Sequence, residues 1–158
     1  NHYYGLDLSN ELIEAGYVHE LTDAQRAKLP RANLFANAEF DFSPLNLSID
    51  VGIAQSVFTH LPLNHIRQSL INLAPHMSKE GVFYATYFEY PEAHPLTKPY
   101  AQAGAIDGEP VVTTSLNDPY HYRLPDFEYA ISGLNWRVET LNIFHHPRGQ
   151  KMLRFINY

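Results

Sequence analysis

Strand-like and helix-like segments alternate along the first half of this 158-residue chain, and this alternation limits its fold more than any other feature. Apolar runs typical of strands lie at residues 2–8, 32–37, 49–58 and 82–88, and helical patterns lie between most of them. Strands that alternate with helices usually form a parallel sheet flanked by those helices. The sequence therefore predicts an α/β fold.

The helical segments carry recognisable start and stop signals. Ser9 or Asn10 can cap the first helix, because either side chain accepts a hydrogen bond from an early helix amide. A weaker helical pattern follows at residues 21–31. We expect Asn64 to cap the next helix and Pro75 to end it, since proline cannot continue the backbone hydrogen-bond pattern.

The strand-like runs differ in how they alternate. Residues 49–58 are nearly continuously apolar, which is typical of a strand covered on both faces. Residues 136–143 and 152–156 alternate, and the Pro/Gly turn at 147–150 joins them as an antiparallel hairpin. We therefore predict a Rossmann-like mixed sheet, mostly parallel, with an antiparallel C-terminal hairpin and helices on both faces.

Residues 91–125 differ in kind from the rest of the chain. They contain six prolines and two glycines and show no sustained periodicity. A segment of this length inside a compact domain is usually functional or disordered. We expect a single domain over residues 1–158, with this Pro-rich insertion folding over the active site as a lid.

Composition excludes several classes of protein. No apolar run approaches the ~18 residues that a membrane span requires. The chain has no cysteine, which excludes disulfides and thiolate metal sites. Its formal net charge is −6 and no Lys/Arg cluster stands out, which argues against nucleic acid as a partner. We expect a cytoplasmic protein that binds neither nucleic acid nor a membrane.

Histidines and serines offer few signs of other chemistry. His145 and His146 are adjacent, so their side chains would point to opposite faces of a strand and make poor joint metal ligands. We predict no metal site. Ser56 and Ser115 lack the strained Gly-x-Ser-x-Gly turn that exposes a hydrolase nucleophile.

Three segments, in this order, carry a resemblance to a known family. They are YGLDLS at residues 4–9, DVGIAQSVFTHL at 50–61 and GVFYAT at 81–86. Together with the closing hairpin they resemble class I S-adenosylmethionine-dependent methyltransferases. In that family a strand ends in an acid, a later Asp-containing strand leads to a His-Leu pair, and a helix, a glycine turn and another strand follow. The resemblance implies S-adenosylmethionine as cofactor and a small molecule as methyl acceptor.

The family's first strand, first helix and Gly-x-Gly-x-Gly turn have no counterpart in this sequence. We therefore interpret the chain as an N-terminally incomplete version of the domain. The missing strand would sit between those at residues 2–8 and 49–57, so these two strands must pair directly, leave a gap or receive a strand. A complementing N-terminal segment or a second copy in a homodimer are the candidate donors. An unfilled gap is costly, because buried backbone groups need hydrogen-bond partners.

The resemblance also implies positions for the cofactor. Asp7, with Leu8 beside it, would meet the ribose hydroxyls, and the residues after the next strand would meet adenine. The methionine part would lie near the end of the strand that starts at Ile49. The implied cofactor-binding residues are Asp7, Leu8, Asn37, Ala38, Glu39, Phe40, Gln55 and Ser56. The alternatives are a helix-capping aspartate at residue 7 and an ordinary polar turn at 37–40.

His60 and His121 are the candidate catalytic residues. His60 follows the strand that begins at Ile49, close to the expected path of the methyl group, and an imidazole can take a proton from an oxygen or nitrogen acceptor. The alternative is that His60 only bonds a backbone carbonyl. His121 lies in the Pro-rich insertion, which is equally consistent with a surface loop held by aromatic contacts.

Three functions remain open from the sequence alone. A methyltransferase, or a fragment of one, is favoured by the order of the motifs. A non-catalytic binding or assembly domain is favoured by the missing glycine-rich turn, although the presence of Asp7 counts against it. An NAD-dependent oxidoreductase fits an acid after the second strand, but the closing hairpin argues against it.

Overall fold

A computed structural model describes residues 2–142 and 145–158, apart from the side chain of Ile106. The chain divides into two compact units, Asn1–Asn46 and Leu47–Tyr158. The single domain expected over the whole chain stays a prediction. No helix among the described residues is long and apolar enough to cross a lipid bilayer.

The first unit contains a two-stranded parallel sheet and two helices. Its elements are β1 (Gly5–Asp7), α1 (Asn10–His19), α2 (Asp23–Lys28) and β2 (Leu34–Ala36). Ser9 or Asn10 was the predicted cap of α1, and the cap is Ser9. Its Oγ accepts a hydrogen bond from the amide of Leu12 at 3.2 Å. Strands β1 and β2 run parallel with Asp7 opposite Ala36, so both strands end at the same edge.

The second unit contains a five-stranded mixed sheet, two helices and a separate hairpin. Its elements are β3 (Ile49–Ala54), α3 (Leu63–Leu73), β4 (Met77–Glu89), β5 (Tyr100–Ile106), β6 (Glu109–Thr113), β7 (His121–Tyr122), α4 (Leu124–Ala130), β8 (Trp136–Leu141) and β9 (Lys151–Asn157). The sheet order is β3-β4-β9-β8, and β7 pairs with the end of β4.

The strand directions confirm the predicted fold class. Strand β3 pairs with β4 in parallel, with α3 between them in sequence, and β7 also runs parallel to β4. Strand β9 is antiparallel to both β4 and β8, which confirms the closing hairpin. Strands β1 and β3 belong to different sheets.

The core of the second unit is aromatic. Phe58, Phe127 and Phe155 are almost fully buried, and their ring centroids lie 6.2–6.4 Å apart. The indole Nε1 of Trp136 donates to the carbonyl of Leu70 at 3.2 Å, which fixes β8 against α3. Burial of these aromatic side chains, together with aliphatic ones such as Ile66, Leu70 and Leu153, drives folding of this unit.

Two local expectations are wrong. Strand β3 is not covered on both faces, since Val51 and Ile53 are 66% and 63% exposed. A continuous apolar run indicates that a strand tends to be buried, but whether both faces are covered depends on which elements pack against it. No described element covers the face that carries Val51 and Ile53. Helix α3 begins at Leu63 after Pro62, not after a cap at Asn64. Pro62 itself is the cap residue, in extended backbone with φ −64° and ψ 154°, and the helix has no side-chain cap.

The Pro-rich segment contains more regular structure than its composition predicts. Strands β5 and β6 form an antiparallel hairpin joined by Asp107 and Gly108. Both turn residues have positive φ, 52° and 85°, as a type I′ turn requires. The Asp-Gly pair is a strong local hairpin signal, and the number of prolines around it obscured that signal.

The exposed face of β3 leads to a prediction about self-association. Among the described residues β3 pairs only with β4, so its other edge offers unpaired backbone groups beside exposed apolar side chains. Ile53→Lys is expected to weaken self-association at least about tenfold (~1.4 kcal/mol), because a charged side chain opposes edge-to-edge pairing. Sedimentation velocity over a range of concentrations measures this. Ile71→Lys on helix α3, where the side chain is 43% exposed, is the control; an equal effect of both would contradict the role of the edge.

Candidate active site

In the first unit, Asp7 lies at the carboxyl end of β1 with its side chain exposed. Its Oδ1 accepts a hydrogen bond from the amide of Ser9 at 3.0 Å. Within the described part of the chain its Oδ2 accepts none. The neighbouring Leu8 is 74% exposed. The carboxylate thus joins β1 to α1 with one oxygen and keeps the other for a donor from solvent or from a ligand.

The turn after β2 begins beside Asp7. The amide of Asn37 donates to the carbonyl of Asp7 at 2.7 Å, which holds the ends of the two strands together. The Asn37 Oδ1 accepts from the amides of Glu39 and Asp41, and its Nδ2 donates to the carbonyl of Asp41. The Asn37 side chain is therefore engaged in shaping its own turn. Phe40 takes a positive φ of 54° within it.

Ala38 in this turn is exposed, and its backbone amide is a candidate donor to a ligand. Its N–H has no acceptor in the part of the chain that the structure describes. An exposed amide in such a turn can donate to a ring nitrogen. Asp7 and Ala38 thus present an acceptor and a donor near the carboxyl ends of two parallel strands, where open α/β sheets bind their ligands.

The first unit also contains a cleft of about 550 Å³. Its lining contains none of the predicted site residues. It is formed by His2, Tyr3, Ala27, Lys28, Pro30 and Asn33. Volume alone is weak support for function, and the exposed polar groups at the strand ends are more informative about ligand chemistry.

In the second unit, the chain leaves β3 through Gln55 and Ser56. Gln55 is exposed. Ser56 has a positive φ of 58°, and its amide donates to Thr86 Oγ1 at 2.6 Å. The Ser56 Oγ and Thr86 Oγ1 both donate to Oε1 of the buried Gln150, at 3.1 and 2.6 Å. This serine–threonine–glutamine cluster fixes the carboxyl ends of β3 and β4, and the polar atoms of Ser56 are directed into it.

His60 lies one turn further on and pairs with a carboxylate. Its Nδ1 is 2.6 Å from Oδ1 of Asp118, and both side chains are more than half exposed. Because the carboxylate can only accept, Nδ1 carries the proton in this contact. The alternative from the sequence was that His60 bonds only a backbone carbonyl. In the structure its partner is instead the side chain of Asp118.

His121 occupies a different environment, inside a histidine–tyrosine cluster. Its side chain is 1% exposed, and its ring centroid lies 4.2 Å from that of Tyr90 and 6.5 Å from that of His94. Its Nδ1 is 3.0 Å from Thr113 Oγ1, while Nε2 has no hydrogen-bond partner among the described residues. Its catalytic role stays a prediction; in this conformation its ring contacts the interior.

Burial of His121 leads to a prediction about pH. The pKa of His121 is lowered below its ordinary value, mainly by desolvation and next by the charge of His94. The charge of Asp126 acts in the opposite direction. The folded state therefore favours the neutral ring, and this contribution to stability is complete above the unfolded pKa of about 6.5 and is lost as the pH falls through the lower pKa of the folded state. Urea unfolding at about pH 7.5 and about pH 5.5 is expected to show a lower free energy of unfolding at the acidic value.

His121→Gln tests that assignment. The glutamine side chain can still hydrogen bond to Thr113 but does not titrate, so the difference in unfolding free energy between the two pH values is expected to shrink. An unchanged difference in the variant would assign the acid sensitivity to other groups. The first of these groups is His146. Its pKa is also lowered, by burial and then by the charge of Arg148.

Three polar residues that contact predicted site residues were not themselves predicted as site residues. They are Thr86, Gln150 and Asp118. Thr86 is a polar residue inside the otherwise apolar and aromatic run at 82–88, a signal that could have been used. Asp118 and Gln150 acquire their roles through contacts over 58 and 94 positions, and no local pattern marks them.

Comparisons with known proteins show what the fold is similar to. No protein-family model matches the chain, and no curated protein sequence matches it. Among solved structures, it is similar to an S-adenosylmethionine-dependent methyltransferase from Clostridium acetobutylicum, with a TM-score of 0.65 and 10% identity. That alignment covers 99% of this chain and 75% of the other.

Two further structures are similar at comparable levels. One is an amino pentose methyltransferase from Micromonospora echinaspora with bound S-adenosylmethionine, with a TM-score of 0.65, 12% identity and coverage of 99% and 74%. The other is a magnesium protoporphyrin IX methyltransferase from Synechocystis, also with bound S-adenosylmethionine, with a TM-score of 0.58, 12% identity and coverage of 99% and 60%. At these identities the likeness concerns the fold.

Proposed function

We propose that this chain, whose fold is that of the class I S-adenosylmethionine-dependent methyltransferases, belongs to a protein that transfers a methyl group from S-adenosylmethionine to a small molecule. Similar structures that hold S-adenosylmethionine support the choice of donor. The observation that carries the proposal is the exposed carboxylate of Asp7 at the carboxyl end of β1.

The geometry around Asp7 fits the adenosine part of this donor. A carboxylate oxygen without an intramolecular partner can accept hydrogen bonds from ribose hydroxyls. The amide of Ala38 can donate to an adenine nitrogen, and Phe40, partly exposed, can cover the face of the base. The Asn37 side chain supports this binding surface by holding the turn. Leu8, Glu39, Gln55 and Ser56 stay predicted contacts.

Methyl transfer from this donor requires no covalent intermediate with the protein. When bound, S-adenosylmethionine supplies a methyl group activated by a positively charged sulfur. The residues then have to hold the acceptor in line and exclude water, effects that can account for a large part of the rate enhancement. We propose that the insertion at 91–125 contributes as a lid.

Calorimetric titration with S-adenosylhomocysteine tests the proposal. Asp7→Ala is expected to weaken binding about 10- to 100-fold, because hydrogen bonds to a charged group contribute roughly 1.5–3 kcal/mol. Glu20→Ala removes an exposed acid from the same unit and should leave the affinity within about twofold. Equal affinity of Asp7→Ala and the wild type would exclude the ribose contact.

A second candidate function is a non-catalytic binding domain that has lost the donor site. The internal hydrogen bonds of Asn37 and Ser56 favour it, because these side chains are already satisfied without a ligand. Absence of measurable heat with S-adenosylhomocysteine would favour this candidate over methyl transfer. A complementing N-terminal segment or a homodimer, and a cytoplasmic location, stay predictions from the sequence.

A further inference from the structure

We propose that His60 and Asp118 form an imidazole–carboxylate pair in which His60 takes the proton from a neutral hydroxyl group as that oxygen is methylated. The inference rests on the proposed function and assigns a substrate class to it. Asp118 is a positioning residue in this proposal, since it acts on the acceptor only through the ring of His60.

The short contact defines the tautomer of the ring. With Nδ1 donating to Asp118 Oδ1 at 2.6 Å, a neutral His60 carries its lone pair on Nε2. In the described part of the chain Nε2 has no partner, and the side chain is 56% exposed. A basic nitrogen is therefore presented to an incoming molecule in a fixed orientation. A surface pair as exposed as this one adds little to the stability of the fold. Stability alone therefore does not account for the presence of the His60–Asp118 pair.

The loop that carries Asp118 is held in place at both ends. The amide of Thr114 donates to the carbonyl of Pro119 at 3.0 Å, and the Thr114 Oγ1 accepts from the amide of Asn117 at 2.8 Å. On the His60 side, the amide of Tyr120 donates to the carbonyl of Thr59 at 2.7 Å. The two partners of the pair thus sit on segments joined by backbone hydrogen bonds.

A phenol hydrogen bond strengthens the same junction. The hydroxyl of Tyr122 donates to the carbonyl of Leu61 at 2.5 Å, and burial raises the pKa of Tyr122, which keeps this donor protonated. His60 follows the carboxyl end of β3, and Asp118 precedes β7, which pairs with the carboxyl end of β4. The pair therefore belongs to the edge where open α/β sheets bind ligands.

The chemistry of the pair selects the acceptor. As the O–CH₃ bond forms and the S–CH₃ bond breaks, the electron pair of the broken bond stays on sulfur, and the hydroxyl proton moves to Nε2 of His60. Asp118 stabilises the resulting imidazolium and stays ionised. A neutral hydroxyl gains most from such a base, whereas an acceptor that is already an anion, such as a thiolate, gains little.

Nitrogen NMR of the histidine rings tests the pair without any bound donor. We expect His60 in the wild type to be the Nδ1–H tautomer. Asp118→Asn can donate its amide to Nδ1 and should convert His60 to the Nε2–H tautomer. Glu128→Gln, which removes an exposed carboxylate from α4, should leave the tautomer unchanged. An Nε2–H tautomer in the wild type, or no change in Asp118→Asn, overturns the pair.

Methyl transfer to simple probes tests the substrate class. Phenol and catechol are the hydroxyl probes, and thiophenol is the probe that is largely ionised without help. Asp118→Asn and His60→Gln are each expected to lower kcat for the hydroxyl probes about 100-fold or more, and for thiophenol less than about threefold. Equal losses on both kinds of probe overturn the role as proton acceptor.

Failure of this inference is distinguishable from failure of the proposed function. Binding of S-adenosylhomocysteine without methylation of either hydroxyl probe overturns the substrate class and leaves donor binding standing. Absence of S-adenosylhomocysteine binding overturns the proposed function and, with it, the role of His60 in methyl transfer.

Discussion

Phe127→Ala is expected to lower the free energy of unfolding of the second unit by about 3–5 kcal/mol, the range typical of a fully buried phenylalanine. The ring of Phe127 is 0% exposed and lies 4.9 Å from Tyr87 and 5.4 Å from Tyr122, measured between centroids. Phe58 and Phe155 contact it from other directions, at 6.2 and 6.4 Å. Truncation would remove the ring contacts with all four of these neighbours and leave a cavity between their bulky side chains.

Two variants separate cavity formation from loss of helix α4. Phe127→Leu retains part of the volume and should be less destabilising than Phe127→Ala. Tyr129→Ala lies on the same helix with its side chain 69% exposed, and should change the free energy of unfolding by less than about 0.5 kcal/mol. Urea unfolding followed by tyrosine and tryptophan fluorescence measures all three. Similar effects of Phe127→Ala and Tyr129→Ala would contradict a cavity as the cause.

Local signals in the sequence were sufficient for much of the framework. The cap at Ser9 and the hairpin of β8 and β9 depend on residues close together in the chain, so their physical causes are visible in the printed sequence. The placement of Asp7 and Asn37 also followed from local reasoning, because each comes directly after a strand. Parallel strands then bring both to one edge, and the 2.7 Å bond between their backbones reflects this.

What the sequence did not reveal depends on distant partners. His60 was a candidate base on its own, but the carboxylate that orients it lies 58 residues away. The Ser56–Gln150 contact spans 94 residues. Tertiary packing selects such partners, and many other aspartates or glutamines would have fitted any local criterion equally well.

The missed hairpin of β5 and β6 has another cause. Asp107 and Gly108 carried a usable turn signal, but the prolines in the same segment favoured an irregular loop. The one proline within the hairpin occupies a position that a strand tolerates: Pro110 lies on β6, whose outer edge is open in the two-stranded sheet. Turn chemistry was therefore a better guide there than composition.

Gly104→Ala is the second substitution with a large expected effect, a loss of about 3 kcal/mol of unfolding free energy, at the upper end for overpacking. A Cβ at this position would lie 2.0 Å from the carbonyl carbon of Arg148 and 2.4 Å from its Cα. These are backbone atoms, so rotation of a side chain cannot relieve the clash. Gly149, with a φ of +74°, faces Gly104 from the turn at 147–150. In Gly104→Ala the hairpin of β5 and β6 must therefore separate from the turn at 147–150.

Gly16→Ala is the matched control, because a Cβ there meets nothing within 4 Å and Gly16 lies inside α1. It should raise the free energy of unfolding by roughly 0.5–1 kcal/mol through helix propensity. Unaltered stability in Gly104→Ala would contradict the close approach of the two backbones.

Hydrogen exchange shows how far the displacement in Gly104→Ala extends. Amides of residues 100–113 should lose protection first, because the hairpin is the element that separates. Gln150 follows Gly149 directly and accepts from Thr86, which in turn accepts from the amide of Ser56. Faster exchange at Ser56 would mean that docking of the hairpin supports the carboxyl end of β3. Exchange confined to residues 100–113 would mean that the hairpin moves as an independent element, as a lid must.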